Sequence, residues 1–395
     1  MSETADALII GGGVIGASIA YHLARRRYGR VLLLERDSLG SGSTGRSVAT
    51  VDFMTLHSSA VELYARSSAF FRQCDELMDA ECGFVETGSI ILAGPEKEDA
   101  LLRAVQFMAA AGVKVLSLTL DELALLEPRA SLEGVTAASY APHAGYADPV
   151  LTTQAFAGAA SRLGVHIRQG QAAIRLRLKG RRITGVDTTD GFIEAPVVIV
   201  AAGAWSGELL HPIGIEIDLQ PVRHPVVCLR RPEDFSPPHH SLLDLTTGIY
   251  ARPEAGELSL AGSIDPGVGY NPTNPDDGTE YVEDDYLIWT MERLVLRYPS
   301  LSASVLCKGW AGVMTIAPDW QPIIGGWPDR QGLYCAAGFS GRGFQISPSV
   351  GDLLAGLITG DDAADGHLKP FSPSRFAEGR HSRTDQAVET YGLLG

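Results

Sequence analysis

Four apolar residues, Ala7–Ile10, give way to Gly11, Gly12 and Gly13, and apolar positions then return at helical spacing through "VIGASIAYHLARR". That order predicts a fully buried strand, a tight turn and an amphipathic helix. A second unbroken run, "RVLLLER", predicts another buried strand. Helical periodicity follows in "HSSAVELYARSSAFFRQCDELM" and "KEDALLRAVQFMAAAG", with the alternating strand "GFVETGSIILAG" between them. After the helix of "YADPVLTTQAFAGAASRLG", turns at "KGRR" and "TDG" divide the alternation into hairpins, and "VVIVAAGAW" returns to the buried-strand pattern. Residues 216–310 supply further alternating strands and one long amphipathic helix, "YVEDDYLIWTMERLVLRY". The Pro/Asp-rich loop "DPGVGYNPTNPDDGTE" before that helix predicts a mobile rim.

The first strand and helix carry the dinucleotide fingerprint G-x-G-x-x-G. Gly11 permits the turn, Gly13 admits a pyrophosphate, and Gly16 lets helix and strand pack closely. Glu35 ends the second strand at about the twenty-residue separation expected of the acid that bonds ribose hydroxyls. An acid there disfavours the 2′-phosphate of NADP and leaves FAD and NAD both open. Immediately after it, "RDSLGSGSTGRSVATVDF" concentrates Ser43, Thr44, Gly45 and Ser47 at a helix start. Short hydroxyls and glycine amides suit a second phosphate or ribityl hydroxyls, which a plain NAD site does not need. Near the C-terminus, "AAGFSGRGFQISPSVGDLLAGL" places Gly338, Gly341, Gly343 and Gly351 around another helix start, a second grip on a long ligand.

A net charge of −15 over 395 residues argues against nucleic acid or an anionic membrane surface as partner. The longest apolar runs are too short to span a bilayer, and "MSETADALII" lacks the basic segment of a secretory leader. The five cysteines, Cys74, Cys82, Cys228, Cys307 and Cys335, form no CxxC pair and no recognisable framework. A cytoplasmic chain in a reducing compartment, with no metal site, is expected.

The segments "IIGGGVIGASIAYHLA", "STGRSVA", "VVIVAAGAWS", "GIYARPEAGELSLAGS", "GWAGVMTIAPDWQPIIGG" and "GLYCAAGFSGRGFQISPSVG" occur in the order of a known family. Across almost its whole length the chain resembles the flavoprotein amine and amino-acid oxidoreductases related to D-amino-acid oxidase. These include glycine oxidase, sarcosine oxidase, dimethylglycine dehydrogenase and D-arginine dehydrogenase. The resemblance implies FAD, lying extended from the first glycine loop to the second, and an α/β fold in two domains. A discontinuous Rossmann-like FAD-binding domain comprises residues 1–80, 150–215 and 311–375. An α+β substrate domain on a mixed, largely antiparallel sheet comprises 81–149 and 216–310, and 376–395 form a polar tail that frays. The implied cofactor contacts are Gly11, Gly13, Val14, Ile15 and Gly16; Glu35 and Arg36; Ser43, Thr44, Gly45, Arg46 and Ser47. They continue with Ala173, Ala202, Gly203 and Trp205, and end at Gly338, Gly341, Arg342, Gly343, Phe344 and Gln345.

The family oxidises a carbon–nitrogen bond: hydride leaves the α-carbon for the flavin, and the imine is hydrolysed. Tyr250 matches the family's substrate-pocket tyrosine, whose phenol bonds a carboxylate or an amine. Arg252, two residues on, shares its strand face and either clamps a carboxylate or pairs with a neighbouring acid. Gln345 stands where relatives carry Lys or Gln, and Arg342 where many carry His; Arg342 either attracts an anionic substrate or points to solvent. His57 either lines the pocket or caps a helix.

Departures from the family pattern sharpen these expectations. Gly312 replaces the cysteine that holds flavin covalently in sarcosine oxidase, Cys307 lies too early, and no attachment histidine occurs in "GSGSTGRS", so FAD should be non-covalent. Ser259 replaces the oxygen-activating lysine, leaving oxidase and dehydrogenase both open, with O2 or another electron acceptor. His224 and Met314 fall where D-arginine dehydrogenase has carboxylate-binding arginines, which opens the site to a larger, secondary or non-carboxylate amine. Two alternatives remain: a flavin-holding subunit of a heteromeric complex, and an NAD-dependent dehydrogenase.

Overall fold

The computed structural model describes residues 3–380 except Phe53, Leu56 and Thr279; most of the expected tail lies outside the described residues. Its first sheet is built around five parallel strands in the order Arg330–Ala337, Val198–Val200, Ala7–Ile10, Val31–Leu34, His166–Arg168. Ala7–Ile10 and Val31–Leu34 are buried at every position, as their unbroken apolar runs require. The expected hairpins are present as a meander, Ala173–Lys179, Arg182–Thr188 and Gly191–Glu194, attached to the same sheet.

Two helices lean on this sheet side by side, Val14–Arg25 and Gly343–Thr359. Their close approach explains Gly351. A Cβ there would lie 2.2 Å from Ser18 Oγ, and Ser18 Oγ donates to the Ser347 carbonyl at 2.8 Å. Gly351 therefore serves helix packing, not the ligand grip expected of it.

The second sheet is mostly antiparallel, in the order Asn271–Pro272, Gln220–Arg230, Leu258–Ser263, Ile249–Pro253, Ser241–Asp244, Ser89–Ala93, Ala137–Ala141, Leu116–Leu118; its one parallel pair joins Ser241–Asp244 to Ser89–Ala93. The α/β class with a second, mixed sheet is as expected. The boundary at 311 is not. Trp310–Ile316 pairs residue by residue with Gln220–Val226 in the second sheet, and the first sheet resumes only at Ile323. Apolar alternation marks a strand but not which sheet it joins.

Two further expectations are corrected. The helical pattern of residues 57–78 breaks at Arg72–Gln73 into Val61–Phe71 and Cys74–Met78. The chain then reverses through Asp79, at φ 47°, and Cys82 returns to form a disulfide with Cys74. Among the described residues, the side chains grouped closely enough to hold a metal are Cys74, Asp75 and Cys82, and the two sulfurs of that group are bonded to each other. Among the described residues no helix is long and apolar enough to cross a membrane.

Candidate functional site

One continuous cavity of about 830 Å³ runs from the Gly11–Gly13 turn, outside the C-terminal ends of the parallel strands, to the face of the second sheet. At its dinucleotide end, Gly11 takes φ 110°, and a Cβ there would lie 2.3 Å from the Ala201 carbonyl oxygen, so the position demands glycine. Gly13 is the N-cap of the helix Val14–Arg25 and brings no capping side chain of its own. A Cβ on Gly13 would meet only Thr44 Oγ1, at 3.1 Å, and would otherwise occupy the cavity. That cradle, at the positive end of a twelve-residue helix, suits a pyrophosphate.

Val14, Ile15, Glu35 and Arg36 line the same end. Glu35 Oε2 accepts from Gly12 N at 2.7 Å and Oε1 from Asp37 N at 2.9 Å, which fixes the carboxylate while leaving lone pairs for a ribose. The Arg36 guanidinium lies 4.0 Å over the Trp205 ring, and both side chains bond Asp276, at 3.2 Å from Arg36 and 2.9 Å from Trp205 Nε1. Ser43, Thr44, Arg46 and Ser47 form the next stretch of wall. Thr44 Oγ1 accepts from Val14 N at 3.2 Å, tying the small-polar segment to the first glycine loop. Ala173, Ala202, Gly203 and Trp205 close the opposite side.

Two expected contacts lie behind the wall. A Cβ on Gly16 would stand 1.9 Å from the Gly11 carbonyl oxygen, and one on Gly45 would stand 2.6 Å from that of Gly40. Both glycines let backbones touch; neither lines the cavity.

At the far end the wall consists of Gly338, Gly341, Gly343, Phe344 and Gln345, at the N-terminus of a seventeen-residue helix. Gln345 Oε1 accepts from Asp52 N at 3.2 Å. Asp52 itself faces the cavity, and burial pushes its carboxyl up to about 6, against the pull of the Met54 amide, the Arg342 charge and Gln345. Facing them across the second sheet are Tyr250, His224 and Tyr270, with Arg223 held by both carboxylate oxygens of Glu283 at 2.7 and 2.8 Å. Burial keeps the Tyr250 phenol protonated and holds His224 down at about 4.

Three expected catalytic side chains are not brought to this cavity. Arg252 does share the strand face of Tyr250, but the Val48 segment and Tyr146 cover it there. Its guanidinium donates to the Val48 and Pro253 carbonyls, pairs with Glu254 at 2.9 Å and stacks 4.1 Å over Tyr146. Arg342, the N-cap residue of the second helix, turns into a buried cluster with Asp52, His57 and Tyr64 and points neither to solvent nor to the cavity. His57 stands at the N-cap position of the short turn Ser58–Ala60 without a side-chain capping bond, and burial together with Arg342 holds it down at about 3. No motif or spacing in the sequence singles out Asp52 or Tyr270, and His224 stands out there only as a departure from the family pattern.

Comparison with known proteins agrees with this geometry. Residues 6–357 match the family described as DAO, FAD dependent oxidoreductase. The glycine oxidase of Geobacillus kaustophilus is 30% identical over 95% of this chain and 98% of its own. The 4-methylaminobutanoate oxidase (formaldehyde-forming) of Paenarthrobacter nicotinovorans is 29% identical over 98% of this chain, which spans only 48% of that protein. Among solved structures, L-proline dehydrogenase from P. horikoshii superposes with a TM-score of 0.88 at 26% identity, covering 97% of this chain and all of that one.

Proposed function

The chain belongs to the DAO family of FAD dependent oxidoreductases, and from that premise we propose that it oxidises a carbon–nitrogen bond of an amine or amino acid with a non-covalently held FAD. The observation that carries this reading is the single cavity joining two glycine-rich helix N-termini to a wall of Tyr250, His224 and Gln345. Its described lining contains no cysteine, and its one histidine, His224, has Nδ1 engaged with the Gly269 carbonyl.

The Gly11–Gly13 turn and the amides of Val14 onward would hold the pyrophosphate. Glu35 would take ribose hydroxyls, and Arg36 with Trp205 would wall the adenine side. Thr44 and Ser47 would meet the middle of the cofactor. The N-terminus of Gly343–Thr359 would offer amides and dipole to negative charge on the flavin ring. When bound, FAD supplies the two-electron acceptor for the hydrogen that leaves the carbon beside nitrogen.

The chain's own residues bind, orient and exclude water. Tyr250 and Gln345 both line the cavity and would fix where a substrate nitrogen and α-carbon lie. Asp52 adds a carboxyl whose elevated titration keeps it protonated for part of the time near neutrality. The imine product leaves for water and hydrolyses there.

Anaerobic titration of the yellow protein with sarcosine, dimethylglycine, proline, D-amino acids and larger secondary amines tests the reading, watching absorbance at about 450 nm where bound flavin absorbs. Bleaching by one class names the substrate, and the speed of recolouring in air separates oxidase from dehydrogenase. A protein that cannot be loaded with FAD would overturn the proposal. The 48% coverage of the methylaminobutanoate oxidase favours a second reading, in which this unit works joined to a further domain or subunit. Binding of FAD with no bleaching by any amine supports that one.

A further inference from the structure

The reactive end holds a three-member hydrogen-bond chain whose polarity can be assigned. His224 Nδ1 lies 3.0 Å from the Gly269 carbonyl oxygen, and its Nε2 lies 3.4 Å from the Tyr250 hydroxyl. A carbonyl oxygen only accepts, so the proton of a neutral imidazole sits on Nδ1 and Nε2 presents a lone pair. Burial in an aromatic nest, with Tyr270 edge-on at 4.8 Å and Tyr250 at 6.0 Å between ring centres, keeps the imidazole neutral. The Tyr250 phenol, half-buried at the cavity wall, is likewise un-ionised, and it owns one proton. The other hydroxyl beside it, on Tyr270, is directed at the Ser263 carbonyl at 3.5 Å, and Arg223 donates to Glu283. The proton that reaches His224 Nε2 is therefore that of Tyr250.

Spending that proton on His224 changes what Tyr250 offers the cavity. Its oxygen turns only lone pairs toward a ligand. Lone pairs accept from an amine or ammonium N–H and repel a carboxylate. We infer that His224 is a positioning residue that fixes Tyr250 as a hydrogen-bond acceptor, so that this wall of the site selects the substrate by its nitrogen and not by a carboxylate. The inference rests on the amine-oxidising reading of the site and decides between the two partners open to the phenol. His224 is not itself the base that deprotonates a substrate ammonium: a ring held that far below an ammonium's own range would leave the proton where it was.

The test uses FAD-loaded protein and two ring probes of equal size, pyrrolidine as N–H donor and cyclopentanecarboxylate as acceptor. Binding is read from the visible spectrum of the bound flavin and from the rise in Tm, neither of which requires turnover. Wild type should prefer pyrrolidine, and Tyr250→Phe should lose the preference. His224→Leu frees the phenol rotor and should cut the pyrrolidine preference about tenfold, the worth of one such hydrogen bond. His224→Gln returns an acceptor and should restore it, and His224→Leu combined with Tyr250→Phe should be no worse than Tyr250→Phe alone. A pyrrolidine preference unchanged in His224→Leu, or a wild type that prefers the carboxylate through Tyr250, would overturn the inference. Failure of the parent reading looks different: no amine bleaches the flavin, while the probe preference is still measured.

Discussion

The hydroxyl of Tyr250 occupies the space that a Cβ on Gly262 would fill. The two residues face each other in register on adjacent strands, and that Cβ would stand 2.3 Å from the phenol oxygen and 2.5 Å from Cζ. The glycine lets the ring lie flat along the sheet and reach His224. Gly262→Ala therefore has one cheap response, a swing of the ring away from its strand neighbour. We expect FAD content to be unchanged and kcat/KM to fall about tenfold to a hundredfold, the cost of misplacing a contact by about 1 Å. Unchanged kinetics in a fully loaded Gly262→Ala would remove Tyr250 from the substrate wall.

Gly13 and Gly16 separate cofactor binding from folding. A Cβ at Gly16 collides with the Gly11 carbonyl at 1.9 Å, backbone against backbone, whereas one at Gly13 points into the cavity. Gly16→Ala should cost about 1–3 kcal/mol of stability as an overpacking substitution, seen as a lowered denaturation midpoint of the apoprotein. Gly13→Val should leave that midpoint nearly in place and yield a colourless protein. Full yellow holoprotein from Gly13→Val would contradict the assignment of the turn to the pyrophosphate.

These outcomes show where the sequence was legible. The turn, the helix and Glu35 lie within one strand–loop–helix–strand unit, so their spacing alone carried their geometry. For Arg252 a two-residue period gives the face of the strand but not what covers it, here Val48 and Tyr146, so the choice between a ligand carboxylate and a neighbouring acid is made only in the fold, where it pairs with Glu254. Arg342 was misread because an N-cap residue can turn its side chain off the helix axis on either side. Asp52 meets Gln345 across a 293-residue separation, and Tyr270 packs on His224 and Trp320 from other strands and loops, so neither is placed by local spacing. The pairing of Cys74 with Cys82 is not legible in the sequence because a helical turn and a reversal, not a short motif, bring them together.

Asp52 makes stability depend on pH in an unusual direction. Its carboxyl titrates at about 6 in the fold against an ordinary 3.8, so the native state keeps a proton that the unfolded chain releases. Stability then falls as pH rises from about 4 to about 6 and stays lower above that window. His57 and His224, held at about 3 and about 4, act oppositely: the native state refuses protons that the unfolded chain accepts below about 6.5, so stability falls as pH drops. The two trends overlap and flatten the wild-type curve. Asp52→Asn removes only the first. It should gain up to about 3 kcal/mol over wild type at pH 7 and nothing at pH 4, measured by denaturant midpoints with FAD saturating. A loss at pH 7 would mean that the neighbouring Arg342 charge, not burial, governs this carboxylate.

The segment between the strand Asn271–Pro272 and the helix Asp284–Arg297 lies across the cofactor cavity, with Thr273, Asn274, Pro275, Gly278 and Glu280 in the wall. Side chains of opposite charge hold it down at two points. Asp276 meets Arg36 and Trp205, and Glu280 meets Arg46, with 2.9 Å between Arg46 Nε and Glu280 Oε1. All of these carboxylates and guanidinia are partly exposed, so each pair is worth about 1 kcal/mol or less and is screened by salt. A strap held so weakly would cover a bound FAD without locking it. Asp276→Ala should speed FAD dissociation about threefold to fivefold at low ionic strength, with little further effect of salt, whereas wild type should release FAD faster as salt is raised. Stopped-flow transfer of FAD to an excess of apoflavoprotein acceptor measures both rates. Equal rates for the two proteins at low salt would show that the strap does not bear on the cofactor.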